Sequence, residues 1–334
     1  MTDQNFSYYL TRYFKDFLPN QKNAAANTIR SYRDTFVLLL IFFKEVYRML
    51  PENLDYASFT VERIEAFLDW LETERNAGIK TRNQRLAAIH AFFRYIQYRD
   101  PAGFEQTSRI LTIPYKKVSY SPAVYMSLEE ISCLFSIPDK NDKKQFREWM
   151  IMVLLYESGA RIQELLDLTP AHIHWGNTAT LELHGKGNKS RVTPINNTVR
   201  TMLKRYMQIY PRKENDFLFT NSKGEKLTRA GVQYIIDKYT SMAHEKNPEM
   251  FRKRITNHSF RHSKAMHLLE AGVNLVYIRD FLGHSSVVTT EQYARTNPKI
   301  KEEQLKKGCA AIAANEKYSK DDKADLISWL KENL

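Results

Sequence analysis

The chain has 334 residues, more than a single domain usually holds, so we expect two domains. A composition of 43% hydrophobic and 26% charged residues is typical of a globular protein and excludes a disordered or fibrous chain. The formal net charge of +12 favours a polyanionic partner, although an anionic membrane surface would attract the same charge.

The sequence carries no pattern that predicts a membrane or secreted protein. The longest apolar run, 36–43, is too short to span a bilayer, and the first residues lack the basic and apolar regions of a secretion signal. The two cysteines, Cys133 and Cys309, lie far apart without nearby ligand spacing, which argues against a disulfide framework and a cysteine-based zinc site. We therefore expect a reduced, cytoplasmic protein.

The first hundred residues have apolar side chains at three- and four-residue steps, the period of a buried helix face. Three such runs begin near Ile29, Ile64 and Leu86, and Thr60 is suited to cap the second one. Helix pairs joined by short polar turns predict a small four-helix bundle.

Two of these helices begin with basic and polar residues. The residues are Thr28, Arg30 and Arg33 in one helix and Lys80, Arg82 and Arg85 in the other. Such clusters suit DNA phosphate contacts, because the helix dipole and the N–H groups at a helix start add to the side-chain charge. A solvated helix face is the alternative for each residue taken singly.

A change of pattern predicts the domain boundary. Residues 101–122 carry four proline or glycine positions and a lysine pair without a sustained period, which is typical of a linker. We place a helical DNA-binding domain at 1–112, a linker at 113–124, a catalytic domain at 125–300 and a helical tail at 301–334.

The second domain mixes helices with a short alternating stretch. The spacing of Ser127 and Glu130 indicates a capping box at its first helix, and a strongly apolar helix follows at 149–156. Alternation from 178 to 195, interrupted by the glycine-containing segment 185–189, predicts a β-hairpin. The expected fold class is thus mainly α with a small β-sheet, a four-helix-type N-terminal domain preceding a mixed α/β domain.

Five short segments of the second domain carry the residues suited to chemistry. They are 159–166, 184–191, 258–263, 282–286 and 290–295. Their order and spacing closely resemble the catalytic domain of the tyrosine recombinase, or phage integrase, family. The helical N-terminal region is similar to the core-binding domain of that family, so the resemblance extends from about residue 11 to 298.

The two arginines of these segments suit a phosphate. Arg161 and Arg261 carry planar guanidinium groups that stay charged and bind phosphate oxygens in pairs. His258 precedes Arg261 by three residues, which places both on one face of a helix, where a histidine can exchange a proton near neutral pH. The resemblance assigns both arginines to the scissile phosphate.

The resemblance assigns the remaining catalytic roles. It makes Tyr293 the nucleophile and His284 a hydrogen-bond donor to the scissile phosphate, and it makes Lys186, at the hairpin tip, the general acid for the leaving 5′ oxygen. Lys189 is the rival for this last role. Glu164, on the helical face of Arg161, is expected to orient an arginine.

The activity implied by the resemblance is site-specific recombination of double-stranded DNA. Tyr293 would form a 3′-phosphotyrosyl link, and strand exchange would pass through a four-way junction, with no metal, ATP or other cofactor. Integration or excision of a mobile element and resolution of chromosome or plasmid dimers both fit. The alternatives are a non-catalytic DNA-binding protein of the same fold and a relaxing activity like that of type IB topoisomerases.

Three observations qualify this interpretation. The chain has 19 tyrosines, and most tyrosines in proteins are structural. Two segments depart from the commonest family pattern and blur the subfamily: Ser158-Gly159-Ala160 before Arg161, where Thr-Gly-Leu or Thr-Gly-Ala is frequent, and Ala294-Arg295 after the tyrosine, where Thr-His is common. In relatives the C-terminal helix packs into a neighbouring protomer of a tetramer, so the helical pattern of 322–334 predicts either such docking or folding back onto its own domain.

Overall fold

The computed structural model describes residues 6–100, 104–118, 124–185 and 190–283. The chain divides into two compact units, Met1–Ser121 and Pro122–Leu334. Each unit has its own hydrophobic core, and the expected fold class, mainly α with a small sheet, is confirmed. Among the residues described, no helix combines the length and the apolar character needed to cross a membrane.

Helices are the only regular secondary structure among the described residues of the first unit. Its α-helices are α1 (Phe6–Arg12), which continues into a π-helical segment (Tyr13–Gln21), α2 (Ala26–Tyr47), α3 (Val61–Thr73), α4 (Ile79–Gln97) and α5 (Phe104–Leu111). As expected, Thr60 caps α3, its side-chain oxygen accepting a hydrogen bond from the main-chain nitrogen of Arg63 at 3.3 Å.

The core of the first unit is built mainly from aromatic rings that the helical periodicity brings to one side. Phe92 of α4 lies edge-on to Phe36 of α2, with ring centroids 4.9 Å apart, and to Phe6 of α1 at 5.6 Å. Phe59 packs against Phe6 with centroids 4.3 Å apart. Edge-to-face packing of such rings adds to the stabilisation that comes from burying them.

The second unit combines a three-stranded antiparallel sheet with helices. The helices are α6 (Leu128–Ser136), α7 (Lys143–Glu157), α8 (Ile162–Leu166), α9 (Asn197–Ile209), α10 (Arg229–Lys246), α11 (Asn257–Glu270) and α12 (Leu275–Leu282). The expected capping box opens α6, where Ser127 and Glu130 bond each other's main-chain nitrogens. Residues 149–155 of α7 are all buried, which explains their continuous apolar sequence.

The sheet confirms the predicted hairpin and adds a strand that the sequence did not reveal. Its order is β1 (Ile173–Trp175), β2 (Ala179–His184) and β3 (Ser190–Pro194). The β2–β3 pairing ends with His184 opposite Ser190, so the segment 185–189 joins the two strands. β1 has only three residues, too few for an alternating pattern to stand out in the sequence.

Candidate active site

The described residues include three of the six predicted catalytic side chains. All three belong to the second unit: Arg161 stands directly before α8, and His258 and Arg261 lie on α11. Lys186, His284 and Tyr293 lie outside the described residues, as do Lys189 and the tail at 301–334.

A tight turn after α7 delivers Arg161 to the site. Gly159 has φ +56°, a backbone conformation that favours glycine, and a Cβ atom there would lie 2.9 Å from Cε1 of Phe281. Ser158 donates from Oγ to the carbonyl of Leu154 at 2.5 Å and accepts from the nitrogen of Ala160 at 3.2 Å. The turn thus joins α7 to α8 through residues 158–161 only.

Arg161 stands at the N-cap of α8 and is held from two sides. Its main-chain nitrogen and Nη1 donate to the carboxylate of Glu164 at 2.8 and 2.7 Å. Nη2 donates to the carbonyl of Gly283 at 3.0 Å. The side chain is still 37% exposed, so part of the guanidinium faces solvent.

Glu164 is the buried anion of the site, with a side chain only 2% exposed. Arg191 of β3 binds it through both terminal nitrogens, with Nη1 and Nη2 at 2.9 and 2.8 Å from the two carboxylate oxygens. Burial by itself raises the pKa of Glu164, but hydrogen bonds and charge from Arg191, with hydrogen bonds from Arg161, outweigh it and lower that pKa. Glu164 is therefore ionised between two arginines, which agrees with its expected orienting role.

Arg261, on α11, is 4% exposed and spans two segments of the unit. Nη1 donates to the carbonyl of Gly159 at 2.6 Å, and Nη2 donates to the carbonyl of Leu282 at 2.5 Å. It therefore connects the turn before Arg161 with the end of α12. Charged donors make such hydrogen bonds short and strong.

Three arginines meet at the C-terminal end of α12. The carbonyls of Phe281, Leu282 and Gly283 accept hydrogen bonds from Arg191 Nε (2.9 Å), Arg261 Nη2 and Arg161 Nη2 respectively. A helix C-terminus carries partial negative charge on its last carbonyls, so positive side chains are stabilised there. Residue 284, a predicted catalytic histidine, follows this point directly in the chain.

His258 lies on the first turn of α11 and is exposed, as a group that contacts a ligand must be. Desolvation by the surrounding atoms and the positive charges of Arg261, Arg161 and Arg229 lower the pKa of His258. One turn further, burial, His258 and Arg261 lower the pKa of His262 to about 4. The lowered pKa values favour the neutral form of both imidazoles at pH 7.

The basic residues predicted to bind DNA lie side by side in the first unit. The starts of α2 and α4 are joined through Ser31, whose hydroxyl accepts from Gln84 at 2.8 Å and whose carbonyl accepts from Arg85 at 3.0 Å. Arg30, Arg33 and Lys80 are exposed there, and Thr28 is half-buried. Ala25 and Gly78, which begin the two helices, make no side-chain cap hydrogen bond.

Arg82 and Arg85 are occupied with structural bonds. Arg82 is 5% exposed and donates to the carbonyl of Pro114 at 3.2 Å. Arg85 donates to Thr35 Oγ1 at 3.1 Å as well as to Ser31. A phosphate contact by these two arginines stays a prediction. In the structure, Arg85 links the starts of α4 and α2, and Arg82 links α4 to Pro114.

The sequence predicts no functional role for Arg191. Its alternation with Val192 and Thr193 indicated a strand, but strand periodicity does not reveal a bidentate bond to a residue 27 positions earlier. The one available signal was the expectation that Glu164 orients an arginine. A carboxylate with two oxygens can serve two arginines, and here it does.

Comparison with known protein families identifies matches over both units. The model of the phage integrase family matches residues 125–299, and the model of the phage integrase N-terminal SAM-like domain matches residues 11–99. The protein y4rC of Sinorhizobium fredii, a candidate integrase/recombinase by its name, is 34% identical over 321 residues, 96% of each chain. Tyrosine recombinase XerD of Listeria monocytogenes is 30% identical over 84% of this chain and 91% of its own.

Solved structures share the fold. The XerH site-specific recombinase bound to a palindromic difH substrate superposes with a TM-score of 0.67 over 85% of this chain and 81% of that chain, at 22% identity. The Tn1549 transposon integrase in complex with transposon right-end DNA superposes with a TM-score of 0.66 over 89% and 98%, at 18% identity. At these identities the likeness concerns the fold alone.

Proposed function

The chain belongs to the phage integrase family and is a site-specific DNA recombinase, and from that premise we propose that Tyr293 is the residue with which it cleaves and rejoins DNA. The hydroxyl of Tyr293 gives its proton to a base, a role that neutral His258 can fill, and its oxygen attacks the scissile phosphorus to form a 3′-phosphotyrosyl bond. The bond from phosphorus to the 5′ oxygen breaks, and that oxygen takes a proton from Lys186. Attack by the 5′-hydroxyl of a partner strand reverses these changes on a new strand.

The observation that carries this proposal is the meeting of Arg161 and Arg261 at the end of α12. The two guanidiniums bond neighbouring carbonyls, those of Gly283 and Leu282. Their positive charge would stabilise the negative charge on the non-bridging oxygens of a pentacoordinate phosphorus transition state. His284 follows Gly283 directly and would join them there. Neutral His258, on the same helix as Arg261, would add a hydrogen bond without a net charge.

Lys186 would reach the leaving oxygen from the segment that joins β2 and β3. The antiparallel pairing up to His184 and Ser190 makes 185–189 the connection of a hairpin. An ammonium group there can stabilise the negative charge that develops on the leaving 5′ oxygen and can donate a proton to it. Lys189 of the same segment is the competing acid.

Double-stranded DNA is the partner we assign to the exposed cations of the first unit. Arg30, Arg33 and Lys80, together with Thr28, would contact phosphates at the starts of α2 and α4. Arg85 would hold the two helix starts together, and Arg82 would hold the start of α4 to Pro114. We propose residues 1–112 as the DNA-binding domain and 125–300 as the catalytic domain, joined by 113–124.

Strand exchange between two sites requires several protomers. We propose that four copies assemble on two paired sites and that the tail at 301–334 docks on a neighbouring protomer, with folding back onto its own domain as the alternative. Removal of the residues after 313 separates the two, because unchanged assembly on paired sites would contradict docking on a neighbour. The place of action would be the cytoplasm, at the DNA.

A nicked suicide duplex carrying the recombination site tests the chemistry. The nick lets a short 5′ fragment diffuse away, so the covalent protein–DNA adduct accumulates and is separated by denaturing gel electrophoresis. The wild-type protein should form it, and Tyr293→Phe, which keeps the ring and removes the nucleophile, should not. An adduct with Tyr293→Phe would overturn the assignment. A requirement for two sites on one substrate then distinguishes recombination from relaxation.

A further inference from the structure

The side chain of Arg191 attaches strand β3 to Glu164 and to the end of α12, where Arg161 and Arg261 also bind. Among the described residues, no other β3 side chain forms a hydrogen bond to a different element. Its terminal nitrogens hold both oxygens of Glu164, and its Nε holds the carbonyl of Phe281. The carbon stem packs on the end of α12, where a Cβ atom at Gly283 would lie 3.0 Å from Cδ of Arg191.

Loss of the Arg191 side chain would affect Arg161 and strand β3 differently. Arg161 would stay bound to Glu164, because its own main-chain nitrogen and Nη1 donate to that carboxylate. Strand β3, by contrast, would lose its three side-chain hydrogen bonds to α8 and α12. Residue 191 lies five positions after Lys186 and pairs with Leu183, next to the His184–Ser190 pair that ends the ladder, so the position of β3 governs where the hairpin connection begins.

We infer that Arg191 is a positioning residue for proton transfer: it fixes the hairpin that carries Lys186 relative to Arg161 and the end of α12. This inference rests on the proposed function. The role acts on the leaving-group step, in which the phosphorus–oxygen bond breaks and the 5′ oxygen gains the proton of Lys186. Arg191 itself touches neither the DNA nor the reacting atoms.

Arg191→Lys tests the inference, because lysine retains the charge but cannot bind both oxygens of Glu164 and the carbonyl of Phe281 together. Displacing a reacting group by about 1 Å can cost about 100-fold in rate. We therefore expect single-turnover cleavage of an ordinary suicide duplex to slow by about that factor, with DNA affinity unchanged. Arg205→Lys, an exposed arginine of α9, is the matched control and should cleave at the wild-type rate.

A duplex with sulfur in place of the bridging 5′ oxygen separates proton transfer from every other step. A thiolate leaves without being protonated, so a defect in the acid disappears on this substrate, while a defect in phosphate binding or folding persists. Arg191→Lys and Lys186→Ala should both recover most of their lost rate with sulfur. Arg161→Lys should not recover. Equal slowing of Arg191→Lys on both substrates, or no slowing on either, overturns the inference.

Hydrogen exchange checks the mechanical part without catalysis. In the DNA-free full-length protein, amides of 190–194 should exchange faster in Arg191→Lys than in wild type or Arg205→Lys, because the anchor of β3 is weaker. Unchanged exchange there would also overturn the inference. Failure of the proposed function looks different: wild-type protein would then form no adduct at Tyr293 on either duplex.

Discussion

Arg161 donates two hydrogen bonds to Glu164, from its main-chain nitrogen at 2.8 Å and from Nη1 at 2.7 Å. The pair opens helix α8, with the arginine at the N-cap and the glutamate three residues later. A capping box normally uses a serine or threonine at the first position. Here a side chain proposed to bind phosphate is locked into the start of a helix, so its direction is set by the fold before DNA arrives.

Replacing Glu164 with glutamine should destabilise the protein. The change keeps the shape but removes the negative charge between Arg161 and Arg191, and breaking a buried ion pair in this way costs about 3–5 kcal/mol. Urea unfolding followed by circular dichroism measures the loss. The control is Glu157→Gln, a carboxylate that is less buried and paired with Lys264 alone among the described cations, for which a smaller loss is expected. Equal losses of unfolding free energy would mean that the ion pairs of Glu164 stabilise the protein no more than that of Glu157.

The pH dependence of unfolding in wild type and Glu164→Gln gives a second test of the role of Glu164. Its pKa is lowered in the folded state, so the carboxylate contributes stability above its unfolded pKa of 4.5, and that contribution disappears as the pH falls. The difference in unfolding free energy between wild type and Glu164→Gln should therefore be constant near neutrality and shrink below pH 4.5. A difference that grows on acidification would mean that the carboxylate is protonated in the native state.

Gly159→Ala should damage the turn that delivers Arg161. The backbone there is left-handed, which costs alanine about 1–2 kcal/mol, and the new methyl group would lie 2.9 Å from the ring of Phe281. Gly224→Ala isolates the first effect, because its φ is +79° and nothing lies within 4 Å of the added Cβ. We expect Gly159→Ala to exceed the control by about 1–3 kcal/mol, the usual cost of overpacking. Losses of the same size would mean that Phe281 moves aside at no cost.

Sequence patterns predicted what is local or periodic in this protein. The buried faces of α2, α3 and α4, the capping residue Thr60 and the hairpin between 178 and 195 all follow from spacing, and all are present. The bond from Arg191 to Glu164 could not be predicted, because it joins a strand to a helix through tertiary packing. The burial of Arg82 was hidden for the same reason, since its acceptor, Pro114, lies 32 residues away.

His262 should make the protein sensitive to mild acid. Burial and the charges of His258 and Arg261 lower its folded pKa to about 4, whereas the unfolded value is 6.5. The unfolded chain therefore binds a proton that the native state does not, and stability falls as the pH drops from 6.5 towards 4. Wild type should lose about 2–3 kcal/mol more than His262→Asn between pH 7 and pH 4.

The matched control for this pH series is His244→Asn, an exposed histidine near the end of α10. Its unfolding free energy should follow the wild-type curve through the whole range. If His262→Asn also follows that curve, the proton is not excluded from His262 in the folded protein, and the neutral state proposed for the neighbouring His258 would have to be reconsidered.

Arg30 should contribute to DNA binding through charge alone. It is exposed at the start of α2, so Arg30→Gln should weaken binding to all duplexes alike and reduce the slope of log K against log[KCl] by about one. Lys44→Gln removes the same charge from the last turn of the same helix, about 20 Å away by the helical rise, and should leave the slope unchanged. Fluorescence anisotropy over a range of salt concentrations measures both slopes. Equal slopes for the two variants would mean that Arg30 at the start of α2 does not contact DNA.

Arg82→Gln should behave in the opposite way, although it lies in the predicted basic cluster. The guanidinium is buried and donates to the carbonyl of Pro114, so its loss leaves that carbonyl without this donor and costs about 1–3 kcal/mol of stability. Below the unfolding temperature of the variant, the salt slope of DNA binding should equal that of wild type, because no phosphate contact is lost. A reduced slope with unchanged stability would instead make Arg82 a phosphate ligand, and α4 would then have to shift on DNA to expose it.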